Sequence, residues 1–154
     1  MDIEVDSQSW SAIEARALAV YPDECCGLLA AHGRGIFVVH ECENIQNKLH
    51  KADPDEHPRT AETAYRMDDL QVSKILTATE NAGGHLYAIY HSHVDCDAYF
   101  SEEDQNAAQF FGEPAYPGVT YLVISVVDRK VANRKAFCWS DDAGQFEDVP
   151  LTIV

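Results

Sequence analysis

The sequence predicts an α/β fold, a mixed β-sheet flanked by helices. Three observations carry that reading. The element signals run in the order α-β-β-α-β-α-β-β-β, which asks for a sheet with helices packed on it. Residues 119–127 form a strongly apolar, β-branched run and 85–90 a shorter apolar and aromatic one, the pattern of strands covered on both faces. The N-terminal stretch instead places Trp10, Ile13, Ala17 and Val20 at helical spacing, giving one apolar face to lay on that sheet.

Each element follows from local signals. Ser7 or Ser9 opens a first helix to about Tyr21, and Pro22 helps to end it. Residues 25–31 and 36–42 read as paired strands around His32-Gly33-Arg34-Gly35. Residues 44–67 are polar and contain Pro54 and Pro58. They read as a long loop with room for a late strand at 64–67, and loops of that length are often functional. Asp68 or Asp69 caps a second helix to about Asn81. After Gly83-Gly84 a strand leads into His91-Ser92-His93, and a loop spans 94–100. Ser101 with Glu102, Glu103 and Asp104 behind it then opens a helix through Phe111. Residues 112–118 are turn-rich. Strands at 119–127 and 131–139 flank Asp128-Arg129-Lys130, and a last strand covers 145–154. All 154 residues read as one domain, without repeat, low-complexity segment or linker.

The chemistry concentrates in His91-Ser92-His93 and Ser101-Glu102-Glu103-Asp104, an H-x-H-x7-S-x-x-D arrangement. On a strand, residues i and i+2 share a face, so His91 and His93 project together while Ser92 turns away. Asp104 falls in the first turn of the following helix, which the loop can fold back over the strand end. Two imidazoles and one carboxylate are three protein ligands, the number a catalytic zinc site uses while keeping a position open. Ser101 and Asp104 also fit a simple capping pair. Cys96, in the loop between the ligands, reads as an ordinary thiol or as a fourth ligand that would block the open position.

These residues resemble the JAMM (MPN+) metalloprotease motif, H-S/T-H-x7-S-x-x-D. Pro22-Asp23-Glu24-Cys25-Cys26-Gly27-Leu28-Leu29 resembles the segment carrying the catalytic glutamate in the prokaryotic, single-domain members. The likeness in element order and length covers essentially the whole chain. It implies the MPN (cytidine deaminase-like) fold and zinc-dependent hydrolysis of peptide or isopeptide bonds. Carried over, His91, His93 and Asp104 would hold one zinc ion. Glu24 would serve as the general base and acid, and Ser101 would donate to the oxyanion. Without the resemblance Glu24 is a solvated residue at a helix end, and Glu14, Glu41 and Glu43 are its rivals. One departure is Val94, where many members carry proline; it affects the loop's shape and not the ligands.

Some relatives in that family act on ubiquitin-like β-grasp proteins. The resemblance therefore implies a ubiquitin-like or sulfur-carrier β-grasp protein as substrate, cut after its C-terminal Gly-Gly. Such a tail suits a narrow groove, because glycine lets the backbone approach the metal closely. The 44–67 loop is the expected groove wall, with Asn44, Asn47 and Arg66 as tail contacts and Tyr99 and Phe100 as an apolar rim. Two other readings stay open: a catalytically silent MPN-type protein-binding module, and a Cys–His hydrolase using Cys25 or Cys26 with His91.

Composition narrows the partners. The formal net charge is −15, from 26 acidic against 11 basic residues, which disfavours nucleic acid and anionic membrane surfaces. No apolar run is long enough for a membrane-spanning helix. The acidic start Met1-Asp2-Ile3-Glu4-Val5-Asp6 lacks the apolar region of a secretory signal. Five cysteines, an odd number without C-x-x-C, suit a reducing cytoplasm. Nothing in the sequence sets an oligomeric state.

Overall fold

A six-stranded mixed sheet forms the centre of the molecule, in a computed structural model that describes residues 2–154. Its strands are β2 (Cys26–Ala31), β3 (Phe37–Cys42), β4 (His85–Val94), β7 (Thr120–Val127), β8 (Lys130–Ser140) and β9 (Gln145–Val149), in spatial order β3-β2-β4-β7-β8-β9. Strands β4 and β7 run parallel, and the other neighbours run antiparallel. The central strands β2 and β7 are buried almost throughout, which explains their unbroken apolar runs.

Helix α1 (Ser7–Val20) covers one face. Its Trp10, Ile13 and Ala17 pack with Leu29, Ala88, Tyr90, Leu122 and Ile124. The opposite face carries Leu28, Ile89, Tyr121, Val123, Phe137 and Phe146. Helix α3 (Asp69–Asn81) lays Val72, Ile75 and Leu76 on it. Because side chains alternate along a strand, Ala88, Tyr90 and Ser92 of β4 face α1 while Ile89, His91 and His93 face α3. The paired histidines therefore emerge from the end of a central strand, on the α3 side.

Several expected boundaries shift. Asp6, and not Ser7 or Ser9, caps α1, its carboxylate accepting from Ser9 N at 3.0 Å. A strand β1 (Ile3–Val5) precedes it and pairs in parallel with β10 (Leu151–Ile153). The expected last strand over 145–154 thus divides at Pro150, and its end crosses to a separate two-stranded ribbon. Within 44–67 a helix α2 (Gln46–Ala52) forms, and the late strand is reduced to one bridge, Asn44 to Met67. The motif helix α4 (Glu102–Ala107) is shorter than expected. Phe111 and Gly112 adopt positive φ, which reverses the chain and pairs β5 (Gln109–Phe110) with β6 (Glu113–Pro114).

Candidate metal centre

His91, His93 and Asp104 converge, all buried. The two Nε2 atoms stand 3.3 Å apart, and Asp104 Oδ2 lies 3.3 Å from His91 Nε2 and 3.1 Å from His93 Nε2. Donors about 2.0–2.1 Å from a tetrahedral ion stand about 3.3–3.4 Å from one another, so this triangle already has the size of one tetrahedral face. His93 Nδ1 lies 2.9 Å from the Asp97 carbonyl, which can only accept. That places a proton on Nδ1 and, in the neutral ring, offers Nε2 to a metal. Two imidazole nitrogens and a carboxylate oxygen meeting at that spacing are a donor set that fits a divalent metal. Among the described residues the group consists of these three side chains; Cys96 is not part of it.

Local sequence rules place each donor. His91 and His93 alternate out of β4, which register-matches β7 through His91–Val123 and His93–Ser125. Ser101 and Asp104 form a reciprocal capping box: Asp104 N donates to Ser101 Oγ at 3.0 Å and Ser101 N donates to Asp104 Oδ2 at 3.1 Å. The capping reading and the ligand geometry therefore coexist in one carboxylate. Burial alone would raise the Asp104 pKa, but the His91 and His93 rings and the Ser101 N–H outweigh it and hold the group well below the carboxylate range.

Glu24 reaches the same place from the other side. Antiparallel β2 and β4 pair Cys26 with His91, and Ser92 N donates to Cys25 O. Continuing that register two residues back brings Glu24 level with His93, on the same face. Glu24 is 6 % exposed and lines a cavity of about 340 Å³ together with His93, Ser101 and Asp104. Burial, then the charges of Asp104 and Glu103, push its carboxyl up to about 9, with Arg59 pulling the other way. Its rivals lie elsewhere: Glu14 bonds Trp10, Glu41 faces Arg16, and Glu43 pairs with Lys48.

The sequence profile for prokaryotic homologs of the JAB domain matches residues 6–140. The chain belongs to that family. It is similar to the CysO-cysteine peptidases of Mycobacterium tuberculosis and Mycobacterium bovis, at 28 % identity over 144 residues, covering 94 % of this chain and 86 % of theirs. Among solved structures it resembles a protein from Desulfitobacterium hafniense, with a TM-score of 0.71 at 20 % identity over 100 % of this chain and 93 % of that one. It also resembles a JAB1/MPN domain protein from Archaeoglobus fulgidus, with a TM-score of 0.51 at 14 % identity over 98 % of each chain. At these identities the structures speak for the fold alone, and that fold is the expected JAB/MPN one.

Other expected features of this JAB chain are redistributed. Asn44 is consumed internally: its amide donates to Glu24 O and Ala64 O, and its carbonyl accepts from Gln46 N and Arg66 N. It fastens Glu24 to the 44–67 segment and has nothing left for a tail. Asn47 likewise accepts from Ala61 N. Phe100 packs inward on Tyr121, Phe137 and Phe146, so of the expected rim only Tyr99 stands out, edge-on to His93. Cys25 and Cys26 are buried. Burial pushes the Cys25 thiol up to about 11 and the Cys26 thiol higher still, the reverse of what a thiolate nucleophile needs.

Sequence reasoning missed the supports around the donors. Tyr65 stacks on His91 with ring centroids 4.4 Å apart, covering the imidazole whose Nδ1 has no hydrogen-bond partner. Asp97, whose carbonyl orients His93, is itself held by Asn133. Asp95 sits at φ 55 and accepts from Tyr21 OH and Asp128 N, which anchors the loop between the ligands. Asp95 and Asp97 are close to His93 in sequence, but their own partners Tyr21, Asp128 and Asn133, like Tyr65, are remote, and no local pattern marks these contacts.

Proposed function

We propose that this chain is a zinc-dependent peptidase that hydrolyses the bond following the C-terminal Gly-Gly of a sulfur-carrier or ubiquitin-like β-grasp protein. The observation that carries the reading is the triangle of His91 Nε2, His93 Nε2 and Asp104 Oδ2 at 3.1–3.3 Å, with Glu24 in the same cavity. Two imidazoles and a carboxylate suit zinc, and three protein donors leave a coordination position for chemistry. The CysO-cysteine peptidases support the substrate class, since their name joins a peptidase to a protein-linked cysteine.

Zinc bound at such a site supplies Lewis acidity, which acidifies water and polarises a carbonyl. The remaining steps belong to side chains of this protein. Glu24 takes a proton from the attacking water, whose oxygen adds to the scissile carbonyl carbon. It returns that proton to the amine as the C–N bond breaks, leaving a carboxylic acid on the tail and a free amine on the departing group. A cation at the donor triangle would favour the ionised form of Glu24, which burial alone disfavours, and so free it to take that proton. Ser101 Oγ accepts from Asp104 N, so its own hydrogen is free to donate to the oxyanion.

Incubating the zinc-loaded protein with a β-grasp protein extended by one residue past Gly-Gly tests this directly by intact-mass spectrometry. The wild type should remove that residue, and Glu24→Gln should retain zinc while losing about 10²- to 10⁴-fold in rate. No mass change with the zinc-loaded wild type, or an unchanged rate in zinc-loaded Glu24→Gln, would overturn the reading.

A further inference from the structure

The cavity in front of the candidate metal donors is lined by five carboxyl groups, Glu24, Glu62, Glu102, Glu103 and Asp104, and by one guanidinium, Arg59. Beyond the His93 ring, Arg59 is the one basic side chain among the described lining residues. It also lines an adjoining cavity that it shares with Glu103 and Asp104, so it stands where the two meet.

The Arg59 backbone is fixed while its head group is exchangeable. Its carbonyl accepts from the buried Gln46 Nε2 at 3.0 Å, and two residues on, Ala61 N donates to Asn47 Oδ1. Helix α2 thereby anchors the strap that carries it. The side chain is about half exposed and meets Glu103 through Nε at 3.1 Å. An ion pair that exposed is weak and easily replaced. Guanidinium has five N–H donors in a planar fork, so engaging Glu103 through the Nε edge leaves the terminal nitrogens to bind another carboxylate side-on.

We propose that Arg59 is a specificity-determining residue that captures the free α-carboxylate of a single amino acid leaving from the substrate tail. The proposal rests on the peptidase reading above. A departing amino acid brings a negative charge into a cavity already walled with carboxyl groups, and without a cation that charge is repelled. A lysine side chain joined through an isopeptide bond brings no carboxylate to that position, because its own backbone carboxyl is tied up in its chain. Arg59 therefore directs the site towards tails extended by one residue and away from protein conjugates. Glu103 holds the guanidinium in place until substrate arrives.

The test compares two semisynthetic substrates, a β-grasp protein extended past Gly-Gly by one cysteine, as the free acid and as the primary amide. Binding is read by fluorescence anisotropy on zinc-supplied Glu24→Gln, and turnover on the zinc-loaded wild type. The free acid should bind about tenfold to a hundredfold more tightly than the amide, with the same preference appearing in KM. In binding, Arg59→Ala should abolish the preference by weakening the acid alone, and Arg59→Lys should restore part of it. Thermal unfolding of each variant establishes that it is folded. Equal binding of acid and amide by the Arg59-containing protein, or an Arg59→Ala loss that falls equally on both, would overturn the assignment. Retained acid preference in binding with no turnover of either substrate would support Arg59 and count against the peptidase reading instead.

Discussion

Glu24 carries the clearest energetic signature at the scale of the single residue. Buried beside Asp104, its carboxyl titrates near 9 against an ordinary value of 4.5. The unfolded chain sheds this proton near pH 4.5 and the folded chain keeps it to about pH 9. Between those limits the unfolded state binds fewer protons, so stability falls as pH rises, and the whole cost is present above about pH 9. In metal-free protein, Glu24→Gln should therefore raise stability at pH 7 by on the order of 3 kcal/mol, or roughly 6–12 °C in Tm. The difference should vanish towards pH 4.5 in paired thermal melts, and a constant difference across that range would contradict the account. The donors His91, His93 and Asp104 were legible because strand alternation and helix capping are local rules. Glu24 was legible only through the family resemblance, because its place depends on the long-range register of Cys26 with His91. Tyr65, Asp97 and Arg59 were not legible as site residues, since loop placement alone brings them there.

At the scale of the element, strand β2 continues the chain from Glu24 and packs closely enough to leave no room for a side chain at Gly27. A Cβ at Gly27 would collide with the Tyr90 hydroxyl end and the His40 carbonyl, in a fully buried strand between two others. Gly27→Ala should cost about 3 kcal/mol or more, read as a lower urea midpoint, and a neutral effect would contradict the packing described. The strands β2, β3, β4, β7 and β8 and the helices α1 and α3 could be read from hydrophobic period and caps. What escaped were elements defined by partners. Strand β1 is three residues long, and only its pairing with β10, at the far end of the described chain, gives it meaning. Helix α2 has Ile45 at its N-cap, which offers no side-chain acceptor, and lies in a polar stretch, so its start is hard to read. Helix α4 ends early because the Phe111–Gly112 reversal pairs the following residues with one another.

Across the whole molecule, a sheet covered on both faces delivers three separate segments to one point: the start of β2, the end of β4 and the first turn of α4. A metal held by His91, His93 and Asp104 would lock the end of β4 to the first turn of α4, so everything proposed for the site depends on occupancy of that triangle. Metal content of the purified full chain, measured by mass spectrometry beside His93→Ala, tests it most directly. The wild type should carry about one zinc per chain and the variant should lose it. A wild-type protein that takes up no zinc when supplied with it, or a His93→Ala protein that holds as much as the wild type, would contradict it.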